Sequence, residues 1–229
     1  MINPPKLLIL LSFCAVTGFG APCLPGSLQD YYNLGGGCDL GPVLVSGFTA
    51  QPGQAIATQL DPTLIQVTPG GTPSDPNLLF SLNTFAASGE VFESFFSFMV
   101  LGPLLGATID LTAASAAADG AVTGVLDICP DAAFIPPLTC STTPATVIVF
   151  AIEGDQLLSD SAAFPLSSFF DVFVDLTIDG GLDGSASLES ATVGFASSPT
   201  TDPIPEPATA YLMLAGLGAL AVWRLRRAP

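Results

Sequence analysis

From about Val43 to Phe195 apolar and polar residues alternate with a period of two, the signature of strands with one buried face. The clearest run is Phe169–Asp179. Phe170, Val172, Val174, Leu176 and Ile178 point one way, and Asp171, Asp175, Thr177 and Asp179 the other, with Phe173 as an apolar exception among them. The same alternation predicts strands over Ala107–Ala113 and Gly120–Ile128. Val91–Val100, with its four Phe residues, is too apolar to be one-sided, and Thr146–Ile152 is a continuous apolar run suited to a central strand. Val43–Thr49, Thr63–Thr68, Asn77–Leu82 and Ala186–Phe195 are further candidates. Turn chemistry separates these runs at Pro69-Gly70-Gly71, Ser88-Gly89, Asp119-Gly120, Gly154-Asp155 and Asp179-Gly180-Gly181. Thr112–Ala118 reads as a single helical turn. The expected fold is all-β: an antiparallel β-sandwich or jelly roll of about eight to ten short strands.

The ends of the chain depart from this pattern. Lys6 precedes the apolar run Leu7–Val16, and Gly18 and Gly20 stand at the −3 and −1 positions of a cut before Ala21. This is the three-part grammar of a secretory signal peptide over 1–20. Residues 21–42 read as a small disulfide-stapled unit, with Ser27 as N-cap of a short helical turn that Gly35 ends. The sandwich occupies 43–196. A Ser/Thr/Pro linker follows at 197–204, and a distinct C-terminal segment at 205–229.

Charge follows the same division. The chain of 229 residues has a formal net charge of −16, and its four basic residues are Lys6, Arg224, Arg226 and Arg227. All twenty acids lie between Asp30 and Glu206, where there is no Lys, Arg or His. Nucleic-acid binding is thereby excluded, because nothing in the body can neutralise phosphate. The same absence removes Ser-His and Cys-His dyads and any lysine base. Paired carboxylates could still serve as acid and base, but the best-placed ones alternate on the outer faces of strands and read as a solvated row. The expected catalytic set is therefore empty. Loss of the leader removes Cys14 and leaves Cys23, Cys38, Cys129 and Cys140. In an oxidising compartment the simplest of their three connectivities is Cys23–Cys38 and Cys129–Cys140. A four-cysteine zinc site would want Cys-x-x-Cys spacing, which is absent.

The C-terminal segment carries the most specific signal. Pro205-Glu206-Pro207 is followed by the apolar stretch 208–223 and then by Arg224-Leu225-Arg226-Arg227. As a helix, that stretch reaches about 24 Å at 1.5 Å per residue, near the low end for a transmembrane span. Trp223 stands where an interfacial aromatic belongs, and the arginines hold the end in the cytoplasm. This order resembles the PEP-CTERM sorting signal. The resemblance implies recognition of Pro205, Glu206 and Pro207 by an exosortase in a Gram-negative bacterium, with Arg224, Arg226 and Arg227 as the basic stop. It also implies a protein held transiently in the inner membrane and then passed to the cell surface or extracellular matrix, where biofilm polysaccharide is a possible partner.

Two binding chemistries remain for the body. Asp179, Asp183 and Glu189 fall in the Gly-rich segment DGGLDGSASLE, where hard oxygen ligands would suit calcium. A hairpin turn explains the same residues without a metal, so the expectation is no cofactor, with calcium as the one alternative. A carbohydrate-binding sandwich is the second possibility. It would want exposed rings, yet the one Trp is Trp223 and the Phe residues fall mostly on inner faces.

Overall fold

The computed structural model describes residues 20–135 and 139–198. The predicted signal peptide, apart from Gly20, lies outside the described residues. So do the linker beyond Ser198, the Pro205–Pro207 tag and the 208–223 helix. Among the described residues no helix is long and apolar enough to cross a membrane.

The alternating pattern becomes strands almost throughout. In chain order the elements are β1 Gly26–Ser27, α1 Leu28–Tyr32, β2 Cys38–Leu40, β3 Val43–Ala50, β4 Thr58–Gln59, β5 Gln66–Thr72, β6 Asp75–Ala86 and β7 Val91–Thr112. They continue as β8 Ser115–Ala117, β9 Ala121–Pro130, β10 Phe134–Ile135, β11 Thr139–Cys140, β12 Ala145–Ile152, β13 Asp155–Leu157, β14 Ser159–Asp179 and β15 Ser185–Ser197. Thirteen of the strands form one sheet along the path β1-β5-β6-β15-β7-β14-β9-β12-β13, with β2 on β3, β3 and β4 on β7, and β8 on β15; β10 and β11 make a separate hairpin. All pairings are antiparallel except β4 with β7.

Two long strands make that sheet into a sandwich. β7 and β14 pair along their whole length, but their other neighbours change midway. The first half of β7 pairs with β3, from Leu101 to Phe96, and the second half with β15, from Leu104 to Thr112. β9 borders only the Phe170–Asp179 half of β14. The change comes at Gly102-Pro103 in β7 and around Pro165 in β14, where the ladder slips in register between Ala163 and Phe169. Proline cannot donate to a ladder. Gly102 adopts φ +147°, and a β-carbon there would press on Val43 at 2.9 Å, so the corner calls for glycine.

The two halves then face each other across one core. Phe98 of the first layer meets Phe195 of the second edge-on, with ring centres 6.1 Å apart, and Phe96 meets Phe80 at 5.0 Å. Gly124 on β9 leaves room for Ile109 and Leu111 of the opposite layer. Phe80, Phe96, Phe98, Phe170 and Phe195 are fully buried. Such aromatic pairs add about 0.5–1.5 kcal/mol each beyond their area burial.

The N-terminal unit joins the same core. Ser27 caps α1 through a capping box, its Oγ accepting from Asp30 N–H at 3.2 Å while the Asp30 carboxylate accepts from Ser27 N–H at 2.8 Å. Tyr31 packs edge-on against Phe48 and donates its hydroxyl to Leu24 O at 3.0 Å. Both expected bridges are present, Cys23–Cys38 and Cys129–Cys140.

Several local expectations are corrected. Val91–Val100 and Ala107–Ala113 are halves of one strand, because the Gly102-Pro103 break turns the chain without ending its pairing with β14. Pro69-Gly70-Gly71 is not a turn but part of β5. That strand has no neighbour beyond β1 at this level, so Pro69 costs no ladder bond, and the reversal falls at Pro73-Ser74. The strand expected at Thr63–Thr68 accordingly begins later, at Gln66. Thr112–Ala118 is not helical: Ala113 takes positive φ and Ser115–Ala117 pairs with β15. α1 ends at Asn33, before Gly35. Thr146–Ile152 is not covered on both faces, since Ile148 and Ile152 are 47% and 44% exposed and only the three-residue β13 lies beyond it.

The Cys23–Cys38 bridge closes a loop with a sequence separation of 15, worth about 3 kcal/mol in the chain-entropy model. With no basic side chain between Lys6 and Arg224 to offer ion pairs, the two bridges are expected to carry a large share of stability. Reducing both is expected to lower Tm by roughly 10 °C or more, read by circular dichroism. An equal midpoint with and without reductant would show them to be energetically idle.

Candidate functional site

The outer face of the first layer is where the alternation places most of its polar side chains, and three acids gather there. Thr177 stands opposite Glu93, Asp175 opposite both Phe95 and Val125, and Phe173 opposite Asp127. Asp175 therefore lies diagonally between Glu93 on β7 and Asp127 on β9, a spacing at which long side chains still interact.

These acids are not the solvated row that the sequence suggests. Glu93 is only 1% exposed, because the segment between β3 and β5 crosses over it. That strap is tied to β7 by Gln51 N–H to Phe95 O at 2.9 Å and by Leu60 N–H to Glu93 O at 2.8 Å. Glu93 Oε2 accepts from Gln54 N–H at 2.7 Å and from the Gln59 amide. A β-carbon on Gly53 would collide with both Glu93 and Gln59, so only glycine lets the strap close this tightly. Gln51 Nε2 adds a bond to Ser97 Oγ at 2.8 Å.

A second cover lies over Phe173. The hairpin β10–β11, anchored by the Cys129–Cys140 bridge, sets Phe134 edge-on against Phe173 at 4.8 Å, and Phe95 flanks the same ring at 5.9 Å. Phe134 N–H donates to Asp171 Oδ2 at 2.9 Å. The outward phenylalanine that broke the alternation thus belongs to a small aromatic cluster under a stapled flap.

The covers set the electrostatics. Desolvation, then the proximity of Glu93, pushes the Asp175 carboxyl up to about 6, with Asp127 adding to the effect and the Thr177 hydroxyl opposing it. Desolvation also raises Asp171, against the bonds from Phe134 N–H and Val172 N–H. A carboxyl held near neutrality beside another acid is a layout found where acid–base chemistry occurs. Here the strap saturates Glu93 Oε2, so Asp175 is the accessible member of the pair.

The calcium candidates are not brought together. Asp179 Oδ1 accepts from Gly181 N–H at 2.8 Å, a local turn bond, and Glu189 lies exposed on β15. Asp183 meets a different acid, since its N–H and that of Leu182 donate to the Asp119 carboxylate at 3.0 and 2.7 Å. These two backbone bonds hold Asp119 below the usual carboxylate range. Asp119, from the turn before β9, organises the loop that the sequence assigned to Asp179 and Asp183. Its Asp-Gly context marked a turn but could not show which turn it would meet. Among the described residues no group of three or more His, Cys, Asp or Glu side chains could hold a metal ion. The sorting residues Pro205, Glu206, Pro207, Arg224, Arg226 and Arg227 lie outside the described residues.

Comparison with known proteins identifies the C-terminal segment. Residues 203–227 match the PEP-CTERM protein-sorting motif, as the resemblance at 205–227 implied. No curated protein matches the chain. Among solved structures, it is similar to the enzymatically active domain of tailspike protein 4 from bacteriophage CBA120, at 10% identity and TM-score 0.25, over 67% of this chain and 19% of that one. It is also similar to TmCBM61 in complex with beta-1,4-galactotriose, at 12% identity and TM-score 0.27, over 71% and 92% of the two chains. At these TM-scores neither likeness assigns a fold, a ligand or an activity.

The Asp175 geometry fixes a sign for pH dependence. A carboxyl raised in the folded state binds its proton there more readily than in the unfolded chain. Its contribution is therefore most favourable below the unfolded value and declines as pH rises through about 6. Asp175→Asn is expected to raise Tm at pH 7 by roughly 2–4 °C, about 1 kcal/mol after allowance for solvent screening. It should also flatten the fall in Tm between pH 4 and 7 (flanking the unfolded and folded values) in thermal melts. A variant as pH-dependent as the parent would place the effect elsewhere.

Proposed function

We propose that the chain is an exported, non-enzymatic surface or extracellular-matrix protein, sorted and processed by an exosortase through Pro205-Glu206-Pro207. The observation that carries this reading is the PEP-CTERM motif at 203–227. The signal peptide takes the chain across the inner membrane of a Gram-negative cell, and the 208–223 helix holds it there while Arg224, Arg226 and Arg227 remain cytoplasmic. Proline on either side of Glu206 keeps the backbone extended, the form a protease cleft binds. The two disulfides suit an oxidising destination. The body then passes to the cell surface or to a polysaccharide matrix, and the protein works without a cofactor. Mass spectrometry of the protein from wild-type and exosortase-deleted cells tests this. The C-terminus is expected to be trimmed near Pro205–Pro207 in the wild type alone, and an intact C-terminus in both strains refutes it.

One observation favours a second reading, a secreted carbohydrate-binding module. Phe95 and Phe134 present half-buried rings around Phe173, with the carboxylates of Asp175 and Asp127 on neighbouring strands. Rings beside hydrogen-bond acceptors suit the apolar face and hydroxyls of a sugar. Calorimetric titration with neutral oligosaccharides is expected to give heat that Phe134→Ala abolishes. Absence of heat across galactose-, glucose- and mannose-based chains would remove this reading and leave the first intact.

A further inference from the structure

The described chain enters the fold at Gly20 and runs beside β2. Ala21 O accepts from Asp39 N–H at 2.8 Å, and Asp39 O accepts from Cys23 N–H at 2.9 Å. Pro22 and Asp39 form an isolated parallel bridge, and the Cys23–Cys38 bond fastens the next residue. Asp39 is thus held by its backbone on both sides, and its side chain turns back along the entering peptide. A β-carbon built on Gly20 would lie 3.1 Å from Asp39 Oδ1 and 3.5 Å from its Cγ. The carboxylate thus lies close to Gly20, the residue on the acyl side of the bond where the sequence places signal cleavage.

Hydrolysis at that bond changes what Asp39 faces. The C–N bond breaks, water supplies the oxygen of a new carboxylate on Gly20, and the Ala21 nitrogen leaves as an ammonium. Before the cut Asp39 has a neutral amide beside it. Afterwards a positive charge appears in a body that has no Lys, Arg or His between Lys6 and Arg224. We propose that the Ala21 α-ammonium released by signal cleavage pairs with the Asp39 carboxylate, adding a charged contact to the bonds that already hold the N-terminal strand on β2. The inference rests on reading residues 1–20 as a signal peptide, which the sorting function also requires.

The surroundings direct the ammonium to Asp39. Asp30 lines the same surface cleft as Ala21, but its Oδ2 accepts from both the Ser27 N–H and hydroxyl, which hold that carboxylate at the start of α1. The Tyr31 hydroxyl, in the same cleft, donates to Leu24 O. The pair exists while the ammonium holds its proton and is lost as pH rises through its pKa.

The composition makes the test unusually direct. Lys6 is the single lysine, so the exported chain has one amine, the N-terminus. Reductive methylation with 13C-formaldehyde labels that amine alone, and its NMR shift against pH reports its pKa. Intact mass is expected to place the N-terminus at Ala21. The wild-type pKa is expected to lie at least about half a pH unit above that of Asp39→Asn, and to fall similarly when the wild type unfolds in urea. Asp155→Asn, on the exposed β13 hairpin, should leave it unchanged. The urea comparison needs no variant, so a misfolded Asp39→Asn would not block the test. A chain that starts elsewhere overturns both the signal reading and the pair, whereas a start at Ala21 with no difference between folded and unfolded protein overturns the pair alone.

Discussion

Between Lys6 and Arg224 the chain has no basic side chain, so its carboxylates must be stabilised by N–H and O–H groups rather than by ion pairs. The structure is organised around that requirement. Asp30, Asp61, Asp119 and Asp131 each accept from backbone N–H groups and side-chain hydroxyls or from a second N–H, and all four are held below the usual carboxylate range by those bonds. The acids therefore act as connectors. Asp30 starts a helix, Asp61 shapes the turn at Thr63, Asp119 gathers the 180–184 loop, and Asp131 binds Ser168 and Phe169 at the corner of β14. Among the described residues no buried side-chain polar atom lacks a hydrogen-bond partner. A fold that cannot neutralise its charge by pairing has instead spent it on loop geometry.

Where such bonds do not reach, repulsion and desolvation are felt. Asp175 has one hydroxyl for help and two acids nearby, and its carboxyl rises accordingly. Glu93 shows the other solution. It is enclosed by a strap that brings a backbone N–H and a carboxamide to one oxygen, at the cost of a loop tight enough to need Gly53. The same face thus carries one acid satisfied by burial under donors and another whose partial burial is met by a single hydroxyl.

The sequence made the sandwich legible because each strand keeps one buried face. Phe170, Val172, Val174, Leu176 and Ile178 turn inward as their period requires, and both disulfides join the cysteines nearest in sequence. It misled where the decisive partner is remote. Pro69-Gly70-Gly71 has the composition of a turn, yet the position of β5 near a sheet edge lets those residues stay in the ladder. Ile148 and Val149 look equally central, but Val149 is fully buried while Ile148 is exposed, because one face of the layer is open there. The outer-face cluster was half visible. Phe173 stood out as an apolar residue among acids, but nothing in its neighbourhood announced that Phe134 would cover it from a disulfide-stapled flap. Glu93 gave no signal, since its burial depends on a strap that joins β7 from forty residues upstream.

The charge distribution also connects the two ends of the chain. With the leader removed and the tail trimmed near Pro205–Pro207, all four basic side chains leave the mature body while its acids remain. Such a body is repelled by polyanions, so association with an acidic polysaccharide would have to work through neutral hydroxyls or bridging cations rather than through direct charge attraction. The only positive group that processing leaves behind is the new N-terminus, which emerges beside Asp39 in a strand already fixed by the Cys23–Cys38 bond. Removal of the export signal and completion of the fold's electrostatics would then be one event, adding a charge pair to a strand that backbone bonds and a disulfide already hold in place.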